Sequence, residues 1–205
     1  MTIRRLIAAT AAAFAAGCAS LPFSDDRAER GPSASADGPT YAAEVLRLPY
    51  GVPRIVADDH AGLGFGAGYV AAQDNLCLVM ERALTVRGER AAFFGPGENG
   101  ANIASDVYHK RVVQDGVVET MLAGDPGDVD TPSARARDFV AGFAAGVNQV
   151  VLEGGTRDPN CADEPWVRAV SAHDIWLGAL TLPFGQPIAA VAAAIVNNLY
   201  SVVYT

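Results

Sequence analysis

The acidic residues and histidines of the chain are the side chains that most directly suggest catalysis. Asp74 and Glu81 lie about two helical turns apart, so they roughly share one face of a predicted helix. A pair of carboxylates on one face can act as general acid and base. Ion pairing or hydrogen bonding within the fold is the favoured interpretation for both, because arginines follow Glu81 along the chain. The histidines occur singly and are interpreted as surface or helix-capping residues: His60, His109 and His173.

Local motifs for a nucleophile, a metal or a nucleotide are not supported. The chain has no serine in a Gly-x-Ser-x-Gly turn, no His-Glu-x-x-His and no Cys-x-x-Cys. Residues 62–67 formally match a dinucleotide-binding glycine pattern. We reject that interpretation because Asp58, Asp59 and His60 separate the glycines from the preceding strand, and two carboxylates repel a pyrophosphate. The glycines instead predict that the start of this helix approaches another backbone closely. No catalytic residue and no metal ligand are assigned to this chain.

The positions of these residues depend on the elements that carry them. Residues 44–48 and 54–57 predict two strands joined by a turn at 49–53. A long helix follows, with apolar positions from Phe65 to Leu84, and Gly88 and residues 95–97 end the pattern. Residues 98–116 are left unassigned. The content is therefore α+β, mostly helical, and two strands are too few for a stable sheet of their own.

Two further helices are predicted in the second half of the chain. Pro132 lies where a helix can begin, and residues 139–151 form an amphipathic pattern that Gly154 and Gly155 end. Ser171 and Asp174 match a capping box that begins a third helix. Residues 188–196 are interpreted as a last helical run, and residues 199–205 are strand-like. Several apolar helix faces then need a cover that this sequence does not supply, so the domain is expected to be incomplete.

Length, charge and the N-terminus limit the class of protein. The 205 residues are 50% hydrophobic and carry a net charge of −8, which argues against nucleic-acid binding. Residues 1–18 predict a signal peptide, because two arginines precede an apolar run too short to cross a bilayer. The small residues before Cys18 are typical of lipoprotein processing, which places a lipid on Cys18; ordinary cleavage nearby is the alternative. The expected location is the periplasm, with membrane anchoring through that lipid. Residues 19–42 predict a flexible tether.

The remaining cysteines, Cys77 and Cys161, have two interpretations. In an oxidising compartment they can form a disulfide that closes a long loop. The alternative is a buried thiol at Cys77, which lies in an apolar stretch. The sequence leaves both open because it does not give the geometry of the pair.

Four blocks in order resemble the penicillin amidase family of N-terminal-nucleophile hydrolases. The first block is YGVPRI (50–55), the second is GYVAAQDNL (68–76), the third is RGER with FG (87–95), and the fourth is NC, PWVR and Asp174 (160–174). The second block is the most specific, and the match looks closest to the branch of aculeacin and acyl-homoserine-lactone acylases. The resemblance assigns residues 43–182 to the α-chain region of the family's αββα fold. Residues 183–205 are a divergent tail without the expected Gly-Ser-Asn.

The resemblance implies an amide hydrolase that cleaves non-peptide C–N bonds of N-acyl compounds such as β-lactams, lipopeptides or acyl-homoserine lactones. In this family the nucleophile is the N-terminal serine of a separate β-chain. The expected partners are therefore that β-chain and an N-acyl small molecule. Gln73 and Asp74 are expected to be structural hydrogen-bonding residues at the chain interface. Some relatives bind calcium, but no ligand is identified here and no other cofactor is expected. An inactive truncated product or a lipid-anchored scaffold is the alternative.

Overall fold

Two long helices, α1 (His60–Val86) and α5 (Ala134–Leu152), form the centre of the structure. The structure is a computed structural model and describes residues 29–30, 40–126, 128–155 and 158–181. The shorter helices are α2 (Arg90–Phe94), α3 (Ala101–Gln114), α4 (Val117–Ala123) and α6 (Ala172–Leu180). The strands are β1 (Glu29–Arg30), β2 (Glu44–Arg47) and β3 (Pro53–Val56), and short 3-10 turns lie at Pro49–Gly51 and Glu98–Gly100. The fold is thus mostly helical with a small sheet.

The strands form one antiparallel sheet in the order β1-β2-β3. The predicted hairpin is confirmed: Glu44 pairs with Val56, and Arg47 pairs with Pro53. Pro53 is the first residue of its strand, where a missing N–H donor is tolerated. Within the range predicted as a flexible tether, Glu29–Arg30 pair with the first residues of β2. Backbone hydrogen bonding to an open strand edge, which composition does not report, allows this pairing.

Helix α1 begins and ends where local chemistry dictates. The Asp59 side chain accepts a hydrogen bond of 2.6 Å from the Gly62 N–H and caps the first turn. The helix is irregular at Asn75, where φ is −146°. Beyond its end, Gly88 has φ +66°, and a Cβ there would lie 2.8 Å from the Asp106 carbonyl oxygen. The predicted long helix and its end before Gly88 are both confirmed.

Glycines let α1 and α5 pack with their backbones in contact. A Cβ at Gly64 would lie 2.0 Å from the Phe139 carbonyl oxygen, and a Cβ at Gly142 would lie 1.9 Å from that of Ala61. The same holds one helical turn further along at Gly68 and Gly146. Each helix therefore offers two glycines spaced by four to the backbone of the other, as in small-residue helix pairs. The close approach predicted for the glycines of residues 62–67 is confirmed.

The core consists of two apolar clusters along this helix pair. The first joins α1 and α5 to the segment that precedes α6, and it includes Leu76, Met80, Leu84, Val147, Val150, Cys161 and Trp166. The second joins the end of α1 and the first half of α5 to α4 and α6, and it includes Val86, Val118, Val140, Trp176 and Leu177. Both clusters need α5, so the second half of the chain supplies the cover for α1.

The other helix boundaries follow from their caps. Helix α5 begins at Ala134 rather than at Pro132, because the Ser133 hydroxyl accepts the hydrogen bond of the Ala136 N–H. Gly154 and Gly155 follow its end with positive φ values, as predicted. The capping box of Ser171 and Asp174 is confirmed at the start of α6. The residues left unassigned contain a 3-10 turn and α3, whose weak apolar periodicity hid it. The predictions for the signal peptide, Cys18, residues 188–196 and residues 199–205 lie outside the described residues.

Candidate functional site

Asp74 is held by an arginine from the hairpin. Arg47 donates to both carboxylate oxygens of Asp74 at 2.8 Å, and also to the Gln73 side-chain oxygen at 3.2 Å. The same guanidinium donates to the Gly51 carbonyl at 3.2 Å. Arg47 was not singled out in the sequence, because its partner lies 27 residues away. The second block of the resemblance is therefore joined to the first through this guanidinium.

Glu81 pairs with a different arginine. Arg90 donates to the Glu81 carboxylate at 2.8 Å and to the Thr85 hydroxyl at 2.9 Å. Asp74 and Glu81 thus have separate cationic partners on different elements, and the structure does not bring them together. The favoured interpretation of structural ion pairing is confirmed for both acids, and a shared acid–base site is not.

The third and fourth blocks meet at a buried ion pair. Arg87, which caps the end of α1, donates to Asp174 through two nitrogens at 2.9 and 2.7 Å. The Asp174 side chain is 7% exposed and that of Arg87 is 18% exposed. Burial raises the pKa of Asp174, but hydrogen bonds from Arg87 and Ser171 lower it by more, so the pKa lies below its ordinary 3.8. The pair fixes the start of α6 against the end of α1.

Two more contacts tie the third block into the fold. Glu89 pairs with Arg168, which belongs to the fourth block. The Asp106 carboxylate accepts hydrogen bonds of 2.8 Å from the backbone N–H groups of Arg90 and Ala91, at the start of α2. The charged residues of the four blocks therefore connect helices and strands to one another, and the role of these contacts is structural.

The histidines have three different surroundings. His173 donates through Nε2 to the Glu119 carboxylate at 3.0 Å, and His60 is the first residue of α1; both agree with the surface or capping interpretation. That interpretation is wrong for His109, which is only 7% exposed. Its Nδ1 lies 2.8 Å from the Ser105 carbonyl, which only accepts, so Nδ1 carries the proton. Helix α3 was not recognised in the sequence, and its buried face could not be assigned.

A disulfide joins Cys77 of α1 to Cys161. The Sγ atoms are 2.06 Å apart, the Cα atoms are 5.4 Å apart, and the residues are separated by 84 positions. Cys161 is fully buried in the first core cluster. A loop of this length contributes about 4.5 kcal/mol in the chain-entropy model. The bond holds the segment that contains the fourth block onto the long helix.

An open hollow of about 610 Å³ lies beside the Arg47–Asp74 pair. It is lined by Arg47, Gly51, Gln73, Asp74, Val150, Glu153 and Gly155. The Glu153 carboxylate accepts from the Tyr69 hydroxyl at 3.1 Å and from the Gln149 amide at 2.9 Å. Among the described residues that line it there is no serine, threonine or cysteine, the usual nucleophiles of acyl transfer, and its two carboxylates accept hydrogen bonds from Arg47, Tyr69 and Gln149.

Large apolar side chains are exposed on two surfaces. The hairpin exposes Leu48, Tyr50 and Val52 at its tip and Val56 at its opposite end. The α2–α3 surface exposes Phe93, Phe94, Ile103, Val107, Tyr108 and Val113. Single exposed apolar residues are ordinary, but clusters of this kind mark interaction surfaces.

Neither a metal centre nor a membrane span is found in the described part of the chain. Within those ranges no group of three or more His, Cys, Asp or Glu side chains is arranged to hold an ion. None of the described helices combines the length and the apolar character that crossing a bilayer requires.

Residues 42–184 match the family model described as Penicillin amidase. The chain belongs to the penicillin amidase family. It is 40% identical to aculeacin-A acylase of Actinoplanes utahensis and 37% identical to the acyl-homoserine lactone acylase PvdQ of Pseudomonas putida, each over 140 residues. The match covers 66% and 65% of this chain but only 18% and 17% of those proteins. This penicillin amidase family chain therefore spans less than one fifth of the curated relatives it matches.

A solved structure shows the same fold. The chain matches a thermostable penicillin G acylase from Alcaligenes faecalis at a TM-score of 0.54 and 26% identity. That match covers 78% of this chain and 83% of the solved chain. The solved chain is thus comparable in length to this one, whereas the curated relatives are several times longer. In the solved structure, the segment that matches this chain makes up 83% of a separate polypeptide chain.

Proposed function

We propose that this chain is the α-chain part of an amide hydrolase that cleaves non-peptide C–N bonds of N-acyl compounds. One observation carries the proposal: residues 42–184 match the penicillin amidase family. In agreement with it, the charged residues of the four blocks form ion pairs and hydrogen bonds between helices and strands. The described residues lining the hollow include no serine, threonine or cysteine. The named relatives are acylases, and the chemistry is assigned to the part of the enzyme beyond this chain.

The partner in this proposal is a β-chain whose N-terminal serine attacks the amide carbonyl. The α-amine of that serine has an ordinary pKa of about 7.7–8.0 and serves as the base at neutral pH. Hydrogen-bond donors of the partner stabilise the tetrahedral oxyanion. This chain contributes a scaffold and part of the wall of the acyl-binding site, completing an αββα fold. Its exposed apolar surfaces support this role, because they need a cover.

Domain limits and location are part of the proposal. Residues 1–18 direct export and place a lipid on Cys18, residues 19–42 link the anchor to the fold, residues 43–182 form the α-chain region and residues 183–205 are a divergent tail. The disulfide supports a periplasmic location, because such bonds persist in oxidising compartments. The substrates proposed are N-acyl compounds such as lipopeptides and acyl-homoserine lactones; the names of the relatives, which cite aculeacin-A and acyl-homoserine lactone, support an N-acyl substrate.

Complementation with a relative tests the proposal. The chain is produced in a bacterial periplasm together with the part of aculeacin-A acylase that follows its matched segment, supplied as a separate polypeptide. Release of free amine from N-acyl substrates is then measured for the pair and for each part alone. We expect turnover only by the pair. Turnover by this chain alone, or failure of the two parts to associate, contradicts the proposal, and the second result favours the inactive scaffold.

A further inference from the structure

We propose that Tyr50 is the anchor through which this chain docks onto the remainder of the acylase. The inference rests on the proposed function, which supplies the partner, and it names the contact that holds the two parts together. It starts from a residue of the first block that the scaffold contacts do not explain.

The backbone at Tyr50 has a conformation that its side chain disfavours. Tyr50 has φ 69° and ψ 14°, in the left-handed region. Pro49 precedes it and the Gly51 N–H donates to the Leu48 carbonyl at 3.0 Å, so Tyr50 occupies the third position of a type II-like turn. Glycine or asparagine is normal at that position, and a bulky residue there is strained. Tyr50 is therefore an aromatic residue at a turn position where glycine or asparagine is normal.

Nothing within the described structure compensates for this strain. The Tyr50 side chain is fully exposed, at 103% of its reference area. Among the described residues no hydrogen bond or ring contact involves its phenol. A strained backbone combined with a fully exposed aromatic ring is typical of a functional contact, because the gain arises only when a partner binds.

The scaffold holds the turn in place before any partner arrives. Arg47 donates to the Gly51 carbonyl at 3.2 Å while its bidentate contact with Asp74 fixes the guanidinium on α1. A second backbone bond, from the Leu48 N–H to the Val52 carbonyl at 2.9 Å, closes the loop. The ring is thus presented on a rigid support, which reduces the entropy lost on binding.

The surroundings of Tyr50 define the chemistry of the partner surface. Exposed Leu48 and Val52 lie two positions before and after Tyr50 in the turn, and Gly51, the next residue, lines the polar hollow beside Arg47 and Asp74. This is the arrangement of an apolar centre with a polar rim. The partner surface must therefore offer an apolar pocket with a hydrogen-bond acceptor for the phenol at its end.

The length of the family's proteins identifies the occupant. This chain corresponds to 18% of aculeacin-A acylase, so more than four fifths of such a protein lies beyond the matched segment. The contact that joins the two parts must lie on a surface exposed in this chain. Tyr50 is an exposed aromatic in a block that carries the family resemblance, and aromatic residues of this kind dominate binding energy.

The experiment measures binding and stability for one set of variants. The full chain, as the wild type and as Tyr50→Asn, Tyr50→Phe and Val129→Asn, is titrated with the separately produced remainder of aculeacin-A acylase. Asparagine tolerates the left-handed backbone, so Tyr50→Asn preserves the turn. Val129 is 101% exposed and serves as the matched control for loss of an exposed apolar side chain. The Tm of each free variant is measured in parallel.

We expect Tyr50→Asn to raise the Kd about 30-fold or more, while the Tm of the free chain stays equal or rises. Tyr50→Phe removes only the phenol hydrogen bond and should raise the Kd less than Tyr50→Asn does, while Val129→Asn should remain within about threefold of the wild type. Equal binding by Tyr50→Asn overturns the inference and leaves the proposed function standing. Weaker binding with a lowered Tm also overturns it, because the residue is then structural. Failure of the wild type to bind overturns the proposed function and the inference together.

Discussion

Arg87 and Asp174 show how a single pair of side chains can explain why two distant blocks of the sequence occur together. The two residues are 87 positions apart, and their side chains are the most buried of the ion pairs in the described ranges. Asp174 also accepts from the Ser171 N–H and hydroxyl at 2.7 and 2.8 Å. Removal of one partner leaves the other charge buried, which is costly.

We predict that Asp174→Asn lowers the free energy of unfolding at pH 7 by about 3 kcal/mol. The folded-state pKa of Asp174 is depressed, so its contribution is present above its unfolded pKa of 3.8 and is lost as the pH falls below it. Urea unfolding at pH 7 and pH 3 measures both effects. The variant should therefore differ from the wild type less at pH 3 than at pH 7.

The matched control for Asp174 is Asp115→Asn. Asp115 pairs with Arg111 at 2.9 Å on the surface of α3, where the side chains are 47% and 72% exposed. Exposed pairs of this type contribute less than about 1 kcal/mol because solvent screens them. Equal losses of unfolding free energy from the two substitutions would show that burial of the Arg87–Asp174 pair is not what stabilises the contact between α1 and α6.

His109 makes the stability of the chain depend on pH closer to neutrality than Asp174 does. Burial lowers the pKa of His109 below its ordinary 6.5, and Arg82 and Arg90 act in the same direction. The Ser105 carbonyl and the Asp106 carboxylate oppose this shift only in part. Its Nε2 is buried without a hydrogen-bond partner in the described structure, so a proton there gains no contact.

We predict that the chain loses stability between pH 7 and pH 5 because of His109. The folded-state pKa is depressed, so the unfolded chain binds the proton more readily and stability falls below an unfolded pKa of about 6.5. Substitution His109→Phe should reduce the slope of unfolding free energy against pH in this range. The same change at His173 should leave the slope in place, since His109 is still present. An unchanged slope in His109→Phe would rule out this residue as its source.

Among the elements, the α1–α5 pair decides whether the domain forms. Glycines of each helix contact the backbone of the other, so neither helix can move away from a new methyl group without separating from its partner. Both core clusters include residues of the two helices. The close contact therefore positions the hairpin, the disulfide and α6 together.

We predict that Gly64→Ala destabilises the fold by about 3 kcal/mol or more, since its Cβ would lie 2.0 Å from the Phe139 carbonyl oxygen. Gly178→Ala in α6 is the matched control. Its Cβ would meet only Arg82 Nε, at 3.8 Å, so the higher helix propensity of alanine should stabilise by about 0.5–1 kcal/mol. Thermal unfolding followed by circular dichroism measures both. Destabilisation by the control to the same degree would show that helix glycines act through flexibility rather than through contact.

At the scale of the whole molecule, large apolar side chains are exposed within the part of the chain that the structure describes. The α2–α3 surface exposes Ile103, Val107 and Tyr108 at 49%, 65% and 56%. All three positions lie on α3, the helix that also carries the buried His109 and Asp106. Surfaces of this kind associate with a partner or with further copies of the chain.

We predict that the isolated chain self-associates in proportion to its concentration. The double substitution Ile103→Lys and Val107→Lys should reduce the self-association by placing charge on the α2–α3 surface. Sedimentation velocity across a range of concentrations measures the effect. Lysine at Ala104 and Gln114, two exposed positions of the same helix, serves as a charge control. A monomer with a sharp cooperative melt at all concentrations would contradict the prediction.

Local sequence was enough to predict the features that depend on neighbours along the chain. The hairpin, the long helix, the glycine-terminated end of α5 and the capping box at Ser171 all arise from contacts within a few residues, so periodicity and cap chemistry reveal them. The four blocks likewise identified the penicillin amidase family. The interpretation of Asp74 and Glu81 as structural acids followed from residue types alone.

Other features depend on segments that are distant in sequence and meet only after folding. The partner of Asp74 is Arg47, 27 residues earlier, and the burial of His109 depends on how α3 packs against α1 and α2. The pairing of Glu29–Arg30 with β2 depends on an open strand edge. Nothing in the local pattern distinguishes Tyr50 from an ordinary turn residue until its φ and its exposure are known. Side-chain type limits what each residue can do, but the choice among those roles is made by long-range packing, which brings each group its partner or leaves it exposed.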